Sequence, residues 1–122
     1  MSMTTGIRSL KERQRQERED LILHAAEELL LEKGYHEMAM EEIAARVGIS
    51  KGTVYLHFPS KEDLAFAMIG RSMHSFLGKL NEILDAPTTP RQRLGALLEY
   101  VYTGALRTRF QILTALAQNQ EL

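Results

Sequence analysis

Residues 39–61 read AMEEIAARVGISKGTVYLHFPSK, and this stretch decides the fold. Ile43, Ala44 and Val47 recur at one- and three-residue steps, which predicts a short helix from Met40 to Val47 with one apolar face. Gly48 breaks it. Ile49 tucks inward, and Ser50 is placed to cap a second short helix by accepting a backbone N–H. That helix runs from Lys51 to about Phe58, where Pro59 stops it. Two short helices joined by a tight glycine-containing turn are the layout of a helix-turn-helix.

Stepping 100° per residue around the second of these helices puts Val54 and Phe58 together, facing a core. Gly52, Thr53 and Leu56 occupy the opposite side, with His57 at its edge. Leu56 is the informative residue. A core helix has no reason to aim a leucine at solvent, whereas a helix in a DNA major groove can set one against a thymine methyl. Thr53 suits a base edge or a methyl. Gly52 lowers helix stability by about 1 kcal/mol relative to alanine, and it removes the side chain where backbone would come nearest a ligand surface. Groups suited to phosphate surround this face: the Lys51 ammonium, the Tyr55 hydroxyl, the His57 imidazole and Lys61 at the start of the next helix. The plainer reading is a small helical bundle with an amphipathic third helix.

Outward from this segment the chain reads as helices. An upstream helix runs from about Ser9 to Lys33, with Ile22, Ala25, Ala26, Leu29 and Leu30 as its stripe and Gly34 as its stop. Residues 1–7 read as a loose terminus. Ser60 starts a long helix from Lys61 to about Leu84, with Leu64, Met68, Ile69, Met73, Phe76, Leu80 and Ile83 inward. DAPTTP (85–90) is the clearest break. Thr89, Pro90 and Gln92 then make a strong helix start. The fifth helix carries Leu94, Leu97, Leu98, Val101, Ala105 and Leu106. A sixth is expected from near Thr108, with Phe110, Leu113, Leu116 and Ala117 inward. No alternating strand pattern and no internal repeat is visible.

The chain has 122 residues, 44% hydrophobic and 25% charged, with a net charge of −1. The charge is uneven: residues 8–18 carry +3, residues 19–45 carry −7, and residues 46–61 carry +3 with no acid. The acid-free window suits a polyanion if the acidic helix faces turn away from it. The basic stretch 8–18 would extend a phosphate footprint, or else is a solvated helix end. With no cysteine, disulfides, thiolate zinc sites, iron–sulfur clusters and thiol catalysis are excluded. A reducing, cytoplasmic setting is compatible with this. No apolar run approaches a membrane span of roughly 18 residues. No secretory leader is apparent at the start. His36 and Glu37 begin like a zinc-protease motif, but the second histidine is replaced by Met40. Gly48 and Gly52 do not form a phosphate-cradling loop, and no Gly-x-Ser-x-Gly is present. No catalytic, metal or cofactor residue is assigned.

Residues from about Glu19 to Ala67 resemble the DNA-binding domain of the tetracycline-repressor (TetR) family of bacterial transcription regulators. LILHAAEELLLEKGY, MEEIAARVG and above all ISKGTVYLHFPSKEDL carry the likeness. The resemblance implies an all-α fold: a three-helix bundle with a helix-turn-helix (residues 1–60, ordered from about 9), then a long connecting helix and a partial helical body (61–122). It implies a sequence-specific, double-stranded DNA-binding transcription regulator, an effector-responsive repressor on a pseudo-palindromic operator. The alternative is a helical protein-interaction module. By position, Lys51, Gly52 and Thr53 match the base-proximal start of the recognition helix, and Ser50 before them is counted with the DNA-binding residues. Tyr55, His57 and Lys61 match phosphate-contacting residues, and Leu56 falls where the family varies and reads sequence. Partners would be DNA, an unidentified small-molecule effector and a second copy of the chain. Two departures stand out. Met38, Ala39 and Met40 occupy a helix start where many members have a capping Ser or Thr. The chain also ends at Leu122, within what should be the effector body, so a truncated form without the family's usual dimer helices is expected.

Overall fold

The computed structural model describes residues 9–118; the terminus expected over 1–7, and Arg8 of the basic stretch, lie outside the described residues. Six helices form among the described residues, with no strand: α1 Leu10–Lys33, α2 Met40–Val47, α3 Lys51–His57, α4 Lys61–Asp85, α5 Pro90–Tyr102 and α6 Gly104–Ala117. The fold is all-α.

Local chemistry sets most of these boundaries. Ser9, Ser50 and Ser60 each accept a backbone N–H from the first turn of α1, α3 and α4, and Thr89 and Gln92 form a reciprocal capping box on α5. Each such cap is worth about 1 kcal/mol. Gly34 ends α1 at φ 84, ψ 168 and Gly48 ends α2 at φ 87, ψ 31, both backbone conformations costly for a residue with a Cβ. Ala39 starts α2 without a side-chain cap, as the absence of Ser or Thr there predicts; Glu41 and Glu42 in its first turn offset the helix dipole instead.

The head core forms where α1, α2, α3 and α4 meet. It buries Ile22, Leu29 and Leu30 of α1, Ile43 of α2, Val54 of α3, and Leu64 and Met68 of α4. Tyr35 and Met38 of the α1–α2 link are buried with them. Ile112 and Leu116 of α6 complete the same core. A smaller cluster of Ile83, Tyr100 and Leu106 holds the far ends of α4, α5 and α6 together, with Phe76 and Leu97 against it. At about 1.5 Å per residue, α4 spans about 37 Å and joins both clusters.

Several expectations are corrected here. The sixth helix starts at Gly104, not near Thr108. Thr103 interrupts the run by turning extended (φ −78, ψ 163), and its hydroxyl donates to the Tyr100 carbonyl at 3.0 Å. The inward face of α6 also differs from the expected one. Leu106, Ile112 and Leu116 are buried, whereas Phe110 is exposed and Ala117 likewise. On α5, Tyr100 is the buried residue, Leu97 is half-buried, and Leu94, Leu98 and Val101 face out. Met73 of the α4 stripe is also exposed. The side chain of Ala105 lies outside the described residues.

Candidate nucleic-acid interface

The turn between α2 and α3 is held by two amides on one carbonyl: Gly48 N–H and Ile49 N–H both donate to Ala44 O, at 2.9 and 3.0 Å. This fixes where α3 leaves α2. Ser50 Oγ then accepts from Thr53 N at 3.1 Å and lies 2.8 Å from Thr53 Oγ1. Val54 is fully buried and Phe58 nearly so, which anchors one side of this two-turn helix. The other side is presented outward. Leu56 is 83% exposed and Tyr55 40%; Lys51 and Gly52 are exposed and Thr53 is half-buried. A leucine this open gains nothing from hydrophobic burial in the isolated chain. A Cβ built on Gly52 would meet only Ser50 Oγ, at 3.9 Å, so nothing within the molecule requires glycine there.

The cations around this face are already partnered. Lys51 Nζ donates to Glu41 Oε1 at 2.8 Å and stands 5.9 Å from the centre of the Tyr55 ring. The hydrogen bond from Lys51, with its charge, lowers the Glu41 carboxyl below its ordinary range; the same bond raises the Lys51 ammonium. Lys61 Nζ donates to the His36 carbonyl at 3.1 Å and sits 4.6 Å over the Tyr35 ring. Arg46 forks onto Glu32 at 2.7 and 3.3 Å and lies 3.8 Å from Glu28. The expectation that acidic faces turn away from the acid-free window is therefore corrected. That window is acid-free only along the chain; in space, α1 and α2 bring Glu28, Glu32 and Glu41 to it.

His57 sits differently from the rest. Its Nδ1 lies 2.9 Å from Glu19 Oε2, and its side chain is only 8% exposed. Arg15 shares the same carboxylate at 3.3 Å. The ring thus ties α3 to α1. Glu19, Glu41 and Tyr35 are the partners that the sequence reading missed. Each is remote along the chain from the cation or ring it meets, and no local spacing announces it.

A cavity of about 640 Å³ lies among α4, α5 and α6, bounded by Lys79, Ile83, Glu99, Tyr100, Thr108 and Arg109 among others. Its volume is in the range of small-molecule sites. Among the described residues no cluster of three or more His, Asp or Glu could hold a metal, and no helix is long and apolar enough to cross a membrane.

Residues 22–68 match the family described as "Bacterial regulatory proteins, tetR family". The helix-turn-helix head thus matches the TetR family, over somewhat less than half of the chain. Over 85 residues it is 40% identical to the HTH-type transcriptional activator FasR of Mycolicibacterium smegmatis, an alignment covering 70% of this chain and 39% of FasR. It is 31% identical over 77 residues to the fatty acid metabolism regulator protein of Bacillus subtilis, covering 63% and 40%. Among solved structures, a TetR-like transcriptional regulator from Rhodococcus sp. RHA1 superposes with a TM-score of 0.64 at 35% identity, over 79% of this chain and 54% of that one. The chain spans about two fifths of the length of these two curated relatives. The TetR match covers α2, α3 and most of the residues packed beneath them, and stops at Met68 on α4.

Proposed function

We propose that the chain is a sequence-specific, double-stranded DNA-binding transcription regulator, not an enzyme, and that α3 is its recognition helix. The observation that carries this reading is the open Leu56 beside Gly52 and Thr53, on a helix whose Val54 and Phe58 are locked into the head core. Ser50, Lys51, Gly52, Thr53 and Leu56 would meet base edges in the major groove and Tyr55 and Lys61 would lie along phosphates, while His57, expected among the phosphate contacts, is held by Glu19 and braces α3 against α1 instead. Residues 1–60 act as the DNA-binding head and 61–122 as part of an effector-binding and dimerisation body. Two copies in the cytoplasm would set their third helices in successive major grooves of a pseudo-palindrome.

The cavity among α4, α5 and α6 is the proposed effector site, and its filling would pivot α4 and change the spacing of the two heads. Such coupling requires that the ligand bind the two arrangements with different affinity. The relatives' names speak of an activator and of fatty acid metabolism. For this chain we propose repression by operator occupancy, with the effector left open. Selection of bound sequences from a random duplex pool, followed by a salt titration of the winner, tests the reading. A two-fold symmetric motif and a steep fall of affinity with salt are expected. No complex at low ionic strength would leave the alternative, a helical interaction module that meets other proteins through the exposed residues of α4–α6.

A further inference from the structure

α6 belongs to both clusters of the structure. Leu106 is buried with Ile83 and Tyr100, and Ile112 and Leu116 are buried in the head core. Arg109 stands between them on the same helix. Its Nη1 donates to Glu27 Oε2 at 3.0 Å, across 82 residues of chain. The Glu27 side chain is only 6% exposed, and Arg71 Nε of α4 lies 3.7 Å from the same oxygen. Arg71 also donates to the Asp20 carbonyl at 3.0 Å. A carboxylate this enclosed requires a cation beside it. Glu27 has two, one from each body helix that reaches the head.

Arg109 also bounds the 640 Å³ cavity. The charged residues of that wall are Lys79, Glu99 and Arg109, and Arg109 is the one that also holds an enclosed carboxylate. Lys79 already faces Glu82 at 3.6 Å. We infer that the cavity takes an organic anion with an apolar remainder, and that its carboxylate draws Arg109 away from Glu27. This deepens, and rests on, the effector reading above. Arg109 is then the positioning residue through which the occupant acts on the head. The exchange does not strand Glu27, because Arg71 remains beside it. Losing Arg109 removes the ion pair between α6 and α1 and leaves Ile112 and Leu116 as their tie, while Arg71 keeps α4 bound to α1 through Glu27 and Asp20. The balance of contacts between the two body helices and the head thereby changes.

The test uses the full chain, thermal melting and binding to mixed duplex DNA at low salt, with hexanoate, octanoate and decanoate, each against its matching primary alcohol. At least one carboxylate should raise Tm and weaken DNA binding about tenfold, within the usual range of allosteric coupling, and its alcohol should do neither. Glu27→Gln removes the competitor and should bind the same carboxylate more tightly than the parent chain. Arg109→Gln should abolish the response, and Arg109→Lys should keep a weaker one, since lysine lacks the planar fork. A purely structural ion pair predicts lower Tm in every variant and no gain of carboxylate affinity in Glu27→Gln; that pattern overturns the proposal. Acids and alcohols acting alike would overturn the anion exchange and leave the effector cavity standing. No shift with any probe, in the parent chain or in Glu27→Gln, would overturn both.

Discussion

Lys51 Nζ and Glu41 Oε1 meet at 2.8 Å across the helix-turn-helix, so the first cation of α3 is held by a carboxylate of α2. If α3 lies on DNA, a phosphate must compete with Glu41 for that ammonium. Glu41→Gln should therefore raise affinity for mixed duplex DNA several-fold at low salt. The slope of log affinity against log salt should steepen by about one counterion. Fluorescence anisotropy over a salt series measures both. An unchanged slope would mean that Lys51 stays clear of the phosphates.

Two carboxylates tie stability to acid pH. The hydrogen bond from Lys51 lowers Glu41 and that from Arg46 lowers Glu32, both from an ordinary value of 4.5. Because their folded values lie below their unfolded ones, each contributes fully above the unfolded value and loses its contribution as pH falls through the folded one. Denaturation midpoints should thus be insensitive to these pairs from neutrality down to about pH 5, then decline. Glu32→Gln should flatten part of that acid limb. Both pairs are exposed, so the effect is small.

Gly52→Ala separates folding from binding. No atom crowds the added methyl, and alanine favours a helix by about 1 kcal/mol over glycine. The variant should melt at a higher temperature than the parent. If the backbone of α3 approaches DNA closely there, affinity falls at the same time. Equal or better binding by the variant would place DNA elsewhere.

Leu56→Ala and Val54→Ala should part in the opposite sense. Leu56 is 83% exposed and Val54 fully buried. Val54→Ala should cost about 2 kcal/mol of stability. Leu56→Ala should leave the melt within about 0.5 kcal/mol of the parent while changing which sequences a random pool yields. Lys61→Ala, by contrast, should weaken all sequences about equally.

Ser72 is fully buried, and its hydroxyl finds no hydrogen-bond partner among the described residues. Ser72→Ala removes an unsatisfied polar group of nearly the same size and should raise stability by about 1 kcal/mol. Chemical denaturation checks this; a clear loss would point to a hydrogen bond formed through water.

The head was legible because its boundaries are written locally. Ser50, Gly48, Pro59 and Ser60 act on their immediate neighbours, and the Val54–Phe58 spacing fixes which way Leu56 points. The α5–α6 corner was not. Thr103 breaks the helix with no proline nearby, and Gly104 reads as an ordinary glycine within a helical run; that Ile112 and not Phe110 turns inward is set by how α6 packs on the head core. Ion pairs were legible least of all. Glu19 with His57, Glu32 with Arg46 and Glu27 with Arg109 are set by the crossing of helices, which a linear charge tally cannot see.

Ile112 and Leu116 of α6 fill sockets between α1 and α4. Burying two large aliphatic side chains is worth about 3 to 6 kcal/mol, a sizeable share of what keeps a small domain folded. A chimera that grafts residues 1–85 onto a foreign scaffold would inherit those sockets empty. Transplanting the reader of this molecule means carrying its last described helix along with it, as a plug that must be supplied from the far end of the chain.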